Sequence, residues 1–324
     1  MAGDTDPTAA ESRDDAQPGF EQALVNRLAR EFLKEHRRTR QWGIFFKILL
    51  ALYLFVFLVL YLAESVHITS IGLGKHTSLV EIEGVIAADT DASADNIVTG
   101  LRAAFKDRET AGVILRINSP GGSPVQAGYV YDEIRRLRNK YPAIPVYAVI
   151  SDLCASGGYY IASAADEIYA DKASVVGSIG VIMAGFGFVD AIEKLGIERR
   201  IYKAGKNKAF MDSFSPVDDS DVDHVKTLLE DIHQQFIRVV KEGRGERLKD
   251  DENLFTGLIW TGEDALDLGL IDGLGSASKV ARDVIGAEDI VNYTFRRPLF
   301  EQFAEQLGAG LAEKIVQKLN LSIK

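Results

Sequence analysis

Residues 154–160 read Cys-Ala-Ser-Gly-Gly-Tyr-Tyr, directly behind the apolar run Val146-Tyr-Ala-Val-Ile150. A short apolar run of this kind has the pattern of a buried strand. Beyond the glycines, Ile161-Ala-Ser-Ala-Ala165 reads as helix. A serine on a sharp strand-to-helix turn exposes its hydroxyl, and the first N–H groups of the helix lie nearby to stabilise an anion. Ser156 is therefore a candidate nucleophile. The same pattern suits a serine that only caps the helix while the glycines ease the turn, and this stretch alone does not separate the two. Cys154 is the one cysteine of the chain, so no intrachain disulfide forms. It sits two residues before Ser156, where a small buried apolar role is favoured over that of a thiol nucleophile.

Outward from this turn, strand and helix patterns alternate. Strands are expected at 78–86, 112–117, 145–150, 166–170 and 198–203. Helices are expected at 92–107, 125–140, 189–195 and 221–241, the last with Val225, Leu228, Leu229, Ile232, Phe236 and Val239 as its apolar stripe. Strands in alternation with helices predict a layered α/β domain with parallel strands. The chain has 324 residues, 47% hydrophobic and 26% charged, which allows one or two domains with a sizeable core. A net charge of −10 argues against a nucleic-acid partner. No Cys/His pair stands at metal-ligand spacing, and no phosphate-cradling glycine motif opens a helix, so neither metal nor cofactor is expected.

The N-terminal part has a different character. Residues 1–20 are rich in Asp, Ala, Ser, Gly and Pro and are expected to be disordered. Between 21 and 40, Val25, Leu28, Phe32 and Leu33 follow helical spacing among Arg27, Arg30, Lys34, Arg37, Arg38 and Arg40, the pattern of a basic amphipathic helix on an anionic membrane surface. Residues 44–63 are almost wholly apolar and long enough to span a bilayer as an uncleaved anchor. Basic residues precede the span and only Lys75 follows it closely. The expected layout is a cytoplasmic tail over 1–43, a tether over 64–75 and an extracytoplasmic domain over 76–295. A C-terminal amphipathic helix over 296–324 completes it, with apolar groups at Phe300, Phe303, Leu307, Leu311, Ile315 and Leu319.

A serine nucleophile needs a base. Of the five histidines, His36 falls in the tail and His67 and His76 in or beside the tether. His224 and His233 fall on the long helix, where a solvated or interfacial place is the simplest reading. A Ser-His-Asp triad thus has little support. A lysine can serve when burial or nearby charge keeps it neutral, and Lys203, Lys206 and Lys208 lie together, though each also reads as a surface charge. Oxyanion donors could come from the N–H of Gly157 and from Gly121 and Gly122, whose Pro-Gly-Gly sequence equally suits a simple type II turn.

Four motifs stand in order behind the anchor: Asn118-Ser-Pro-Gly-Gly122, Ala155-Ser-Gly-Gly-Tyr-Tyr160, Gly177-Ser-Ile-Gly-Val181 and Gly205-Lys-Asn-Lys208. Together they resemble the signal peptide peptidase A family of serine peptidases over roughly residues 75–275. The resemblance implies a ClpP/crotonase-like layered fold and a Ser-Lys dyad. By motif it implies Ser156 as nucleophile, Lys208 as general base, Ser178 as the serine that orients the lysine, and Gly122 and Gly157 as oxyanion donors. The chain resembles one half of the double-domain members. Short members form rings, which implies a homo-oligomer with the dyad shared across a subunit boundary. The implied substrates are cleaved signal peptides and similar apolar peptides at the cytoplasmic (inner) membrane, with the domain on the periplasmic side in a Gram-negative cell. A peptidase of membrane-protein quality control and a non-catalytic membrane scaffold are the alternatives. Cys154 departs from the small residue usual there, and the two terminal extensions have no counterpart in the family fold.

Overall fold

In the computed structural model, residues 18–65 and 74–296 are described. The disorder expected of residues 1–17, most of the tether and the C-terminal helix fall outside them. By contacts the chain divides into two units, Met1–Ile68 and Thr69–Lys324.

The first unit contains one uninterrupted helix, α1 (Pro18–Ser65). Pro18 at its start suits a position whose N–H has no helical partner anyway. The 20-residue stretch Arg40–Val59 is long and apolar enough to cross a membrane. At its basic end the rings of Trp42, Phe45 and Phe46 pack against one another. Two expectations are corrected here. Residues 18–20, expected to be disordered, are already helical. The basic segment is also not a separate helix. It is the same rod as the span, because nothing between 21 and 65 breaks a helix except Gly43, and one interior glycine costs only about 1 kcal/mol.

The second unit is built on an eight-stranded sheet. In chain order it runs β1 (His76–Glu83), α2 (Ala94–Lys106), β2 (Thr110–Ser119), α3 (Pro124–Lys140), β3 (Val146–Ala155), α4 (Gly157–Ala162), β4 (Glu167–Ala170) and β5 (Val175–Gly177). Then follow α5 (Val189–Lys194), α6 (Asp219–Arg244), β6 (Ile259–Thr261), α7 (Gly262–Asp267), β7 (Gly273–Leu274), a helical stretch over 277–285 and β8 (Ile290–Asn292). The main path is β6-β5-β3-β2-β1-β8, parallel except for the β5–β6 pair. The strand β3 forks. Its first half, Tyr147–Ile150, pairs with β4, and its last residues, Leu153–Ala155, pair with β5.

Successive residues of the central strands face opposite layers. Val80, Leu115 and Ala148 belong to the larger core, with Leu101 and Phe105 of α2 and Val130 and Ile134 of α3. Leu79, Ile114 and Val149 pack on the other side with Val280 and Ala281. Cover on both faces explains why these strands read as continuous apolar runs. Between α2 and α3, the Glu133 carboxylate accepts from Arg136 and Arg102, which hold it at about 2.

Three local expectations differ from the structure. The strand expected to stop at Ile150 continues to Ala155, because pairing with β2 and β5 carries it through Asp152. The helix expected at 161–165 instead begins at Gly157. The strand expected at 198–203 is absent: this stretch is exposed and finds no partner strand, without which alternation alone forms no ladder.

Candidate active site

The strand β3 delivers the chain to Ser156, which adopts φ 51° and ψ −121° at the head of α4. A non-glycine residue there is strained and persists only under restraint. The restraints are local. The N–H of Ser156 donates to the Gly177 carbonyl at 2.9 Å, and the Ser156 carbonyl accepts from the N–H of Tyr160 at 2.9 Å. The Pro120-Gly121-Gly122 turn lies directly against this bend. A Cβ on Gly121 would stand 2.6 Å from the Gly157 nitrogen and 2.8 Å from the Ser156 Cβ, so only glycine allows the approach. The Gly122 nitrogen lies 3.3 Å from where a Cβ on Gly157 would be, which puts the two N–H groups in one small region. Among the described residues neither donates a hydrogen bond. Ser119 secures the turn: its hydroxyl donates to the Gly84 carbonyl at 2.6 Å and accepts from the Gly121 N–H at 3.1 Å.

These groups open onto a cavity of about 770 Å³, whose lining includes Gly122, Ser156, Gly157 and Ser178. Ser178 is a second non-glycine residue with positive φ, 52°, and its N–H donates to the Leu258 carbonyl at 2.7 Å. The opposite wall comes from α6 through Ile232, His233 and Phe236, with Tyr160 beside them, its ring 5.2 Å from that of Phe236. Cys154 is fully buried, and burial pushes its thiol well above the ordinary range. It is an inert core residue.

Lys208 is not brought to Ser156 within the chain. It sits exposed in a turn closed by its own N–H on the Gly205 carbonyl at 3.2 Å, and it does not line the cavity. The segment around it is poor in internal cover: Ile182, Phe186 and Tyr202 are 86%, 80% and 93% exposed.

The model of peptidase family S49 matches residues 138–289, a stretch that holds Ser156, Ser178 and Lys208. A Synechocystis protein named as a candidate protease is 30% identical over 202 residues, which cover 62% of this chain and 70% of that protein. The chain belongs to peptidase family S49. Protease 4 of Haemophilus influenzae is 32% identical over 219 residues, 66% of this chain and 35% of its own length. A Brucella abortus protein named Na(+)/H(+) antiporter NhaA is 47% identical over 186 residues, 57% of this chain and 25% of that protein. The chain thus spans about a quarter to a third of these two relatives. Protease 4 and relatives named SppA and SohB make this an SppA-like S49 chain, and its mostly parallel sheet with layered helices is the ClpP-like fold expected of it.

Sequence reasoning missed two residues around this cavity. Ser119 figures in the sequence only as a member of the Asn118–Gly122 motif, although a serine two residues before a glycine is a hydroxyl-to-backbone turn signal. His233 was assigned to a solvated or interfacial face, and it stands half-buried on the cavity wall. Its position there depends on how α6 packs, which no local pattern announces.

Proposed function

We propose that this chain is a membrane-anchored serine endopeptidase that acts by a Ser-Lys dyad. One observation carries the reading: the Ser156 hydroxyl stands on a strained bend, in a cavity, beside two backbone N–H groups, of Gly122 and Gly157, that have no partner among the described residues. That combination serves a tetrahedral oxyanion. Ser156 attacks a peptide carbonyl while a neutral lysine takes its proton. The carbonyl oxygen becomes an oxyanion held by the two N–H groups. The C–N bond breaks as the lysine returns the proton to the leaving amine, and water then hydrolyses the ester by the same route.

The base we propose is Lys208 of a neighbouring copy, oriented by Ser178. Lys208 lies outside its own chain's cavity, and the apolar side chains exposed around it suit burial against a second subunit. Docking there would strip water from the amine, as a lysine base requires. The aromatic and aliphatic wall of Tyr160, Phe236, Val181 and Ile182 favours extended apolar peptides, signal peptides among them. The span over Arg40–Val59 would hold the domain at the membrane, with the basic end cytoplasmic and the peptidase domain extracytoplasmic.

The test is labelling of the full-length protein in detergent with a fluorophosphonate probe. Labelling of wild type and loss in Ser156→Ala are expected. A wild-type protein that neither labels nor cleaves an apolar peptide would leave the scaffold reading in place.

A further inference from the structure

The segment Gly177-Ser-Ile-Gly180 is held on every side. The Gly177 carbonyl accepts from Ser156, the Ser178 N–H donates to Leu258, and the Ile179 side chain is fully buried. The Gly180 N–H closes back on the Ser178 carbonyl at 2.9 Å. One backbone acceptor is left in the middle, the carbonyl of Ile179, and a side chain from 54 residues away reaches it: His233 Nε2 at 3.2 Å. A carbonyl can only accept, so Nε2 carries the hydrogen. Nε2 is thereby committed to that carbonyl, and among the described residues no hydrogen bond joins His233 to Ser156.

We infer that His233 is a positioning residue, whose imidazole clamps the Ile179 carbonyl and so holds Ser178 and Gly177 in place beside Ser156. The assignment rests on the peptidase reading above. The neighbours of His233 at Ile232 and Phe236 wall the cavity with apolar groups. A donor between them has a structural task that another aliphatic side chain could not perform. Ser178 holds a positive φ of 52°, which persists only when the surroundings over-determine it. Without the clamp, the buried Ile179 carbonyl is unpaired and the segment can relax. Ser178 then shifts relative to the cavity, and the Gly177 carbonyl shifts relative to the Ser156 turn. His233 acts on the reaction only through those two contacts.

The test compares full-length wild type, His233→Phe and His233→Gln in detergent. The phenyl ring fills the space without a donor, and the glutamine amide nitrogen can occupy the place of Nε2. Two rates are read: fluorophosphonate labelling of Ser156 and hydrolysis of a fluorogenic apolar peptide amide. His233→Phe should lower the labelling rate and kcat about tenfold with KM within about twofold of wild type, the effect of one lost hydrogen bond to a buried carbonyl on an assembled site. His233→Gln should recover most of that loss while both variants still melt cooperatively, His233→Phe below wild type and His233→Gln closer to it. A Phe variant that labels at the wild-type rate, or a Gln variant as impaired as Phe, overturns the assignment. Should the Phe variant fail to fold, His233→Asn, too short to reach the carbonyl, takes its place against Gln. Wild-type protein that does not label sinks the peptidase reading and this role with it. Labelled wild type with an indifferent Phe variant sinks the His233 role alone.

Discussion

Gly122 and Ile86 approach so closely that a Cβ on Gly122 would stand 2.2 Å from the Ile86 carbonyl oxygen. The two residues form an isolated parallel bridge, in which the Ile86 N–H donates to Gly121 and the Ser123 N–H donates to Ile86. This pairing turns the Gly122 N–H away from the bridge and leaves it free beside Ser156. Gly122 also sits at φ 150°, where a side chain is strained. Gly122→Ala should therefore cost about 2 kcal/mol or more in chemical unfolding and depress Ser156 labelling even where the protein folds. Gly128 in α3 is the contrast: a Cβ there meets nothing within 4 Å. Gly128→Ala should stabilise by about 0.5–1 kcal/mol through helix propensity, with labelling unchanged.

The exposed place of Lys208 makes a prediction about mixtures. Lys208→Ala and Ser156→Ala should each be inactive alone, down by about a thousandfold or more. Particles reassembled from equal amounts of the two should regain activity, about a quarter of wild type if each site pairs one serine with one neighbouring lysine at random. Peptide hydrolysis after mixing and dilution from detergent measures it. No recovery would place both residues in one chain or reject Lys208.

Tyr131 is buried, and its hydroxyl has no hydrogen-bond partner among the described residues. Its ring packs edge-on against Tyr160 at 5.5 Å. Removing an orphaned buried hydroxyl removes a desolvation penalty, so Tyr131→Phe should leave stability unchanged or raise it by about 1 kcal/mol. Thermal melting checks the direction. A clear loss would mean that the hydroxyl is satisfied in solution.

Two ion-paired carboxylates, Glu133 buried and Asp272 half-buried, set the acid limit. Burial alone would raise Asp272, but the bidentate Arg244 pair at 2.7 and 2.9 Å, the Ile168 N–H and Arg247 outweigh it and hold the carboxyl below its ordinary value. Glu133 is held at about 2 by Arg136 and Arg102. Both folded-state values lie below the unfolded ones. Their contribution is therefore complete above about pH 4.5 and is lost as pH falls through the lowered folded-state values, about 2 for Glu133. Urea midpoints should drop steadily over that interval. Asp272→Asn should flatten part of the drop. At pH 7 it should cost about 3–5 kcal/mol, because Arg244, 1% exposed, is left without its counter-charge.

The forked β3 shows why part of the site escaped local reading. Its apolar half, Val146–Ile150, announced a strand, whereas Ser151-Asp-Leu-Cys154 carries no strand alternation. The second half is extended because β5, some 20 residues on, supplies a partner. The fork separates β4 from β5 and leaves Ser156 at the open end of the sheet. The 198–203 stretch shows the reverse case: its pattern resembles a strand, but the chain offers it no partner.

By itself the amino-acid sequence determined the α/β alternation, the apolar span and the Ser-Gly-Gly and Pro-Gly-Gly turns. These follow from hydrophobic period, run length and the conformational freedom of glycine, all properties of neighbouring residues. Only the tertiary structure decided that the two turns touch, that Ser156 and Ser178 share positive φ on one cavity, that His233 clamps Ile179, and that Lys208 stands apart from the serine it would serve. Those relations join residues dozens of positions apart. They are set by how α6, β5 and the glycine turns pack, a choice the whole core makes at once and no short stretch encodes.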